Sequence, residues 1–251
     1  MNDTDVLKHH LLDLARQAES RSMYTFSGFL GLAEQDTYVR MAPELSFIGH
    51  TLYGGSEAAE RQIAVFGSEA DFGYPPEYPI AVLSVTPAAE KYAEALTHRD
   101  YLGAILSLGI ERELIGDIII RDKHAWFYAL DSIADFLADS LTSVKHTTVV
   151  CRREIGLVPE LAPILETLSV NVASERIDAV ISALTGLSRN HVGELFTKER
   201  VTLNGRIILK ESTALKEGDV LSARGFGKYI YDGITGRSRK DRLYVSLRKY
   251  V

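Results

Sequence analysis

A series of cationic and amide side chains in the C-terminal third has the types and spacing to hold phosphate. Arg176, Arg189, Asn190, Lys198, Arg200 and Arg206 come first, followed by Arg224, Lys228, Arg237, Arg239, Lys240 and Arg242. A guanidinium fork matches two phosphate oxygens at once, and a capped helix start offers backbone N–H groups to the same anion. The competing reading is a solvated face with local ion pairs, such as Arg176 or Arg189 with Asp178. Little else promises chemistry. His98-Arg99-Asp100 has the letters of a kinase catalytic loop, but the position five residues after Asp100 is Ile105, where a metal-binding Asn is needed. His191 has no second ligand at metal spacing, and Cys151 is the only cysteine. The expectation is therefore no catalytic residue, no metal, no cofactor and no small-molecule substrate.

The elements that must carry these cations are legible locally. Ser174 is placed to cap a helix bearing Ile177, Val180, Ile181 and Leu184, which Gly186 ends. Ser188 caps a second helix with Val192, Leu195 and Phe196 on its buried side. Val201 and Leu203 alternate with polar residues in a strand that turns at Asn204-Gly205. Lys216-Glu217-Gly218-Asp219 is a further turn, after which Val220 and Leu221 open another strand. Beyond Gly227, Tyr229–Tyr231 and Leu243–Leu247 read as two strands. Residues 233–242 between them, with two glycines and four cations, read as a flexible basic tip.

Upstream, residues 5–19 form an amphipathic helix, and residues 24–36 are an aromatic, loop-like stretch. Leu45–Leu52 and Ile63–Phe66 are strands, and residues 71–79, rich in proline, are a boundary. From Ile80 the order is strand, helix, strand, strand, helix, strand, with Asp100 and Asp131 as helix caps. The fold class is α+β: a βαββαβ plait of the ferredoxin-like or RRM-like kind between an N-terminal α/β part and a C-terminal basic unit. The predicted organisation is residues 1–79, an N-terminal subdomain; 80–158, the plait; 159–173, a linker marked by Pro159 and Pro163; 174–232, the two-helix unit; and 233–251, a basic C-terminal hairpin. The aliphatic Ile118-Ile119-Ile120 lacks the stacking aromatics of an RRM, so the plait alone does not announce RNA binding.

Charge divides the 251 residues. The net charge is −6, yet residues 174–251 hold 15 Lys and Arg against 9 Asp and Glu, and residues 224–251 hold 8 against 2. An acidic body with a basic end can dock one face on phosphate and keep the other away. At 46% hydrophobic and 25% charged, the composition is that of a soluble globular protein. There is no apolar run of membrane-spanning length, and the acidic start is unlike a secretory signal. With one cysteine, the expected home is the cytoplasm.

Ser174-Glu175-Arg176-Ile177-Asp178, Leu187-Ser188-Arg189, Val201-Thr202-Leu203-Asn204-Gly205 and Gly218-Asp219, in that order, resemble the S4 RNA-binding domain. One departure is Glu199, where that family usually has Gly. Gly54-Gly55, Glu60-Arg61, His98-Arg99-Asp100-Tyr101-Leu102-Gly103, Leu108-Gly109-Ile110-Glu111-Arg112 and Gly116-Asp117 extend the resemblance, over nearly the whole chain, to the YlmH family of bacterial S4-domain proteins, whose genes often lie near cell-division genes. The resemblance implies a non-enzymatic binder of structured RNA (rRNA, tRNA) that acts on the large ribosomal subunit when a nascent peptidyl-tRNA is stuck there. Two other classes stay open. One is an S4-bearing RNA-modifying enzyme, although no pseudouridine-synthase Asp loop or methyltransferase glycine turn occurs in residues 1–173. The other is a cell-division scaffold whose RNA binding is secondary.

Overall fold

The computed structural model describes residues 3–156, 158, 161 and 164–250, and the chain forms two compact units, Met1–Ala162 and Pro163–Val251. In the first, α1 (Asp3–Arg21) buries Leu11, Ala15 and Ala18, one stripe at helical spacing. They pack on a three-stranded antiparallel sheet of β1 (Thr25–Leu30), β2 (His50–Tyr53) and β3 (Gln62–Phe66), in the order β1-β3-β2, and on α2 (Leu32–Arg40). Residues 24–36 are thus a strand and a helix, not a loop. The misleading glycines have local tasks: Gly28 sits where the β1–β3 register shifts, and Gly31 caps α2. Of the strand expected at Leu45–Leu52, only the stretch from His50 is extended.

After α3 (Glu69–Phe72) come β4 (Ile80–Pro87), α4 (His98–Ser107), β5 (Ile115–Arg121), β6 (His124–Leu130), α5 (Asp131–Ser140), β7 (Ser143–Val144) and β8 (Thr147–Arg153). They build a five-stranded, wholly antiparallel sheet, β5-β6-β4-β8-β7. Successive side chains of a strand face opposite ways. Ala81, Leu83 and Val85 of β4, with Phe127 of β6, face α4 and α5 and pack with Tyr101, Ile105, Ala134 and Leu137. Trp126 and Tyr128, on the other face with Val82 and Ile119, pack against Phe29, Ile63 and Val65 of the first sheet. Both faces of β6 are therefore interior: Trp126 is 8% and Tyr128 3% exposed. Gly55 and Gly116 let the layers close, since a Cβ there would come within 2.3 Å and 2.9 Å of Tyr128.

Two helix starts differ from expectation. Asp100 does not cap α4; Thr97 does, and Asp100 at the third helical position returns the bond, its carboxylate accepting from the Thr97 backbone N–H at 2.8 Å. Asp131 lies one residue inside α5. The Thr97 groups and the Lys145 ammonium hold the Asp100 carboxyl down at about 2. Its folded pKa is thus depressed, so the stabilisation is complete above the ordinary carboxylate range and lost as pH falls through about 2. Asp100→Asn is expected to flatten the acid limb of a stability-against-pH curve between pH 4 and 2, measured by thermal melts at each pH.

The second unit centres on a six-stranded antiparallel sheet. Its strands are β9 (Leu165–Val172), β10 (Val201–Leu203), β11 (Arg206–Ile207), β12 (Val220–Ala223), β13 (Gly227–Arg237) and β14 (Leu243–Tyr250), in the order β11-β10-β12-β13-β14-β9. Helices α6 (Ile177–Thr185) and α7 (Arg189–Thr197) pack Val180, Ile181, Val192 and Phe196 onto it. The predicted linker is largely strand. Leu168, Val170 and Val172 alternate toward this core, and β9 pairs with β14 along its full length. Pro159 and Pro163, which prompted that assignment, lie outside the described residues. The basic tip is also shorter than expected, because β13 runs on to Arg237 through two register shifts at its glycines.

Ser188 caps α7, and Gly186 ends α6 at φ 72°. Ser174 does not cap α6; the cap residue is Arg176, and the first helical N–H groups, of Ile177 and Asp178, donate to the carbonyls of Thr213 and Glu211. Glu199 leaves α7 at φ 54°, with its N–H on Phe196 O and that of Arg200 on Leu195 O. A left-handed non-glycine residue costs roughly 1–2 kcal/mol. Glu199→Gly is therefore expected to raise stability by about 1 kcal/mol in urea unfolding.

Candidate nucleic-acid interface

The second unit sorts its cations into held and unheld groups. Arg176 is held: its Nε and Nη2 donate to the two carboxylate oxygens of Asp178 at 3.0 and 2.9 Å. The local ion pair weighed as the alternative is what this residue makes. Lys198 reaches Glu194 at 2.8 Å one turn back, and Arg237 reaches Asp241 at 2.8 Å across the tip. Arg200 donates to the carbonyl of Arg224 at 2.9 Å. Lys228 lies over the Tyr250 ring, 5.1 Å from its centre. Arg242 is tied by Nη2 to the Asn171 carbonyl at 2.7 Å and by Nε to the Asn171 Oδ1.

The side chains of Arg189, Asn190, Arg206, Arg224, Arg239 and Lys240 are all exposed, and none has a partner among the described residues. Arg189 is the first residue of α7, and Asn190 follows it. The Ser188 hydroxyl is engaged with His191, at 2.9 Å to Nδ1, so that histidine serves the cap. Arg206 stands on the short edge strand β11 after the Asn204-Gly205 turn, both of whose residues have positive φ. Arg224 sits in the turn between β12 and β13, and Arg239 and Lys240 at the tip of the β13–β14 hairpin. The sequence also left three features unremarked. Lys210 and Lys216 are exposed and unpaired among the described residues, and Asn171 orients Arg242 from 71 positions away.

In the first unit, the residues around His98-Arg99-Asp100 form a junction. Asp117 accepts from the backbone N–H groups of Glu60 and Arg61 at 2.6 and 3.1 Å. The Arg61 guanidinium donates to the carbonyls of Ile115, Phe29 and Arg112, and that of Arg112 to Ile115 and Gly116. Burial lowers both arginines, Arg112 to about 10 with the neighbouring Arg61 contributing. Burial, with Arg112 beside it, also lowers His98. These donors are directed at backbone carbonyls, which makes the junction a brace between β1, β5 and the 54–61 loop. Burial raises the Cys151 thiol to about 12, which leaves it unreactive. Among the described residues, no group of three or more His, Cys, Asp or Glu is placed to hold a metal ion, and no helix is long and apolar enough to cross a membrane.

The fold and this distribution of charge define the class: a mixed α/β protein with several sheets, whose excess of cations over carboxylates lies in its second unit. Residues 75–155, the span of the five-stranded sheet with α4 and α5, match the family described as "Putative RNA-binding domain in YlmH". The resemblance to the YlmH family is thereby borne out, and two further comparisons agree with it. The chain is 28% identical over 203 residues to ribosome-associated protein quality control protein P2 of Bacillus subtilis, covering 80% of this chain and 78% of that one. Cell division protein ylmH from Streptococcus pneumoniae has a similar fold, with TM-score 0.51 and 14% identity, covering 62% of this chain and 93% of that structure. Sporulation-specific protein 2 of Saccharomyces cerevisiae is 31% identical over 94 residues, which cover 36% of this chain and 19% of that protein.

Proposed function

We propose that the chain is a non-enzymatic protein that binds structured RNA, rRNA or tRNA, on the large ribosomal subunit and serves the rescue or quality control of stalled translation in the cytoplasm. The observation that carries this reading is the gathering of Arg189, Arg206, Arg224, Arg239 and Lys240, unpaired among the described residues, in one compact unit of an otherwise acidic chain. Arginines left unpaired lose no internal ion pair when they meet phosphate. We read residues 174–232 as an S4 domain on the strength of the two packed helices, the Ser188 cap of α7 and the Asn204-Gly205 turn. We read residues 80–153 as an RRM-like plait on the strength of the strand order β5-β6-β4-β8. The name of the Bacillus relative supports the quality-control role, and the match over residues 75–155 supports RNA binding by the chain, although it covers the first unit and not these cations.

In this reading the plait is a scaffold, not a stacking platform, since Trp126 and Tyr128 are interior. The test is sedimentation of the purified protein with separated ribosomal subunits, followed by mass spectrometry of the bound rRNA after incubation with a methyl donor. Co-sedimentation with the large subunit and an unmodified rRNA are expected. A new modified nucleotide would turn the reading toward an RNA-modifying enzyme, and failure to sediment with either subunit toward a scaffold.

A further inference from the structure

The end of β9, the outer face of α6 and the start of β14 enclose a cleft of about 290 Å³, wholly within the second unit. Its lining divides by chemistry. Val172, Ala173, Ala179 and Ala183 make a small-residue apolar floor, while Arg189, Arg242 and Asn171 supply the polar edge. Among the described residues, no carboxylate lines it. The open groove on α1 differs, mixing Arg16 with Glu19 and Glu44. The Arg242 guanidinium is fixed by its two bonds to Asn171, which leave its Nη1 free of partners among the described residues. Because the Asn171 Oδ1 accepts from Arg242, the Nδ2 amide remains as a further donor. Arg189 faces the same space unpaired. The cleft therefore offers an apolar seat and an edge of donors, the lining that a phosphorylated, partly apolar ligand requires.

We propose that this cleft holds one unstacked nucleotide of a single-stranded RNA segment, with its phosphate between Arg189 and Arg242 and its base or ribose on the alanine floor. The inference rests on the RNA-binding reading above and narrows it to one element of the RNA. A cleft of this volume lies near the lower end of ligand pockets, roughly 300–1,000 Å³, and admits a single nucleotide but not a duplex. Splayed nucleotides of loops and bulges are what proteins seat in such pockets, whereas an A-form helix presents its backbone to a surface. Arg189 and Arg242 stand 53 positions apart in the chain, on a helix start and in the tip of a hairpin. Arg242 closes the tip loop of the β13–β14 hairpin, so the shared cleft joins two contacts that local patterns show only separately.

Filling the cleft separates shape from charge. Ala183→Leu on the exposed face of α6, and independently Ala173→Leu at the end of β9, occupy the floor and leave every cation in place. Binding of the full-length protein is measured for a single-stranded oligoribonucleotide, a blunt RNA duplex and adenosine monophosphate, each at several salt concentrations, with thermal melts to show that the variants fold. Either plug is expected to weaken single-strand binding on the order of tenfold, about 1.4 kcal/mol of lost contact, with an unchanged salt slope. Duplex binding should not respond. Arg189→Gln with Arg242→Gln is expected to flatten the slope by roughly 1–2. Unaltered single-strand affinity in both folded plug variants overturns the inference while leaving RNA binding intact. Adenosine monophosphate that binds tightly without competing against the strand overturns it in favour of a free nucleotide. A wild-type protein that binds no RNA removes the function and the inference together.

Discussion

Trp126→Ala and Tyr128→Ala are each expected to destabilise the first unit by about 3–5 kcal/mol, the cost of emptying a large aromatic site in a packed interior. Both side chains lie on the face of β6 opposite α4 and α5, and that face is covered by Phe29, Ile63 and Val65. Two aromatics at alternate positions of a strand are also what an RNA-stacking sheet presents. The two roles predict opposite results. Interior packing predicts a lowered urea midpoint, with RNA affinity unchanged in the protein that remains folded. An exposed platform predicts near-normal stability and a loss of roughly 1–3 kcal/mol of binding per stacked base. Paired urea unfolding and RNA titration of each variant decide between them.

What the sequence revealed and concealed follows from the range of each interaction. Gly186, Asn204-Gly205 and Ser188 act within a few residues, so the helix end, the tight turn and the cap of α7 were legible. Trp126 and Tyr128 were not, because a strand aromatic looks the same whether solvent, RNA or another sheet faces it. The strand β9 was hidden behind neighbouring prolines, and its partner β14 lies more than 70 residues downstream. In the candidate site, the cationic residue types were visible but their pairing was not. Asp178 is two residues from Arg176 and was foreseen as a partner, whereas Asn171 could be matched with Arg242 only through the fold. The hairpin tip illustrates the consequence. By count it holds four cations, but Arg237 is held by Asp241 and Arg242 by Asn171, which leaves Arg239 and Lys240 as its unpaired pair among the described residues.

The largest effect on binding is expected from removing the unpaired group together. Replacing Arg189, Arg206, Arg224, Arg239 and Lys240 by Gln should flatten the plot of log affinity against log salt by roughly 3.5–4.5, since each phosphate neutralised contributes about 0.7–0.9. Replacing Arg176, Lys198 and Arg237 should change the slope by less than about 1, because each of these already faces a carboxylate. The Lys198 and Arg237 pairs are exposed on both sides and add little stability, and a Gln at 176 can still donate to Asp178, so both variants should fold. The comparison uses one RNA and at least four salt concentrations. Equal slopes for the two variants would mean that pairing within the protein does not decide which cations meet phosphate.

The most direct test of the account is ultraviolet crosslinking of the full chain to large ribosomal subunits, with the crosslinked peptides identified by mass spectrometry. The account predicts RNA adducts on peptides that contain Arg189, Arg206, Arg224 or the 238–242 tip, and none on the β6 peptide with Trp126 and Tyr128. Adducts concentrated on β6, with the second unit unlabelled, would contradict it.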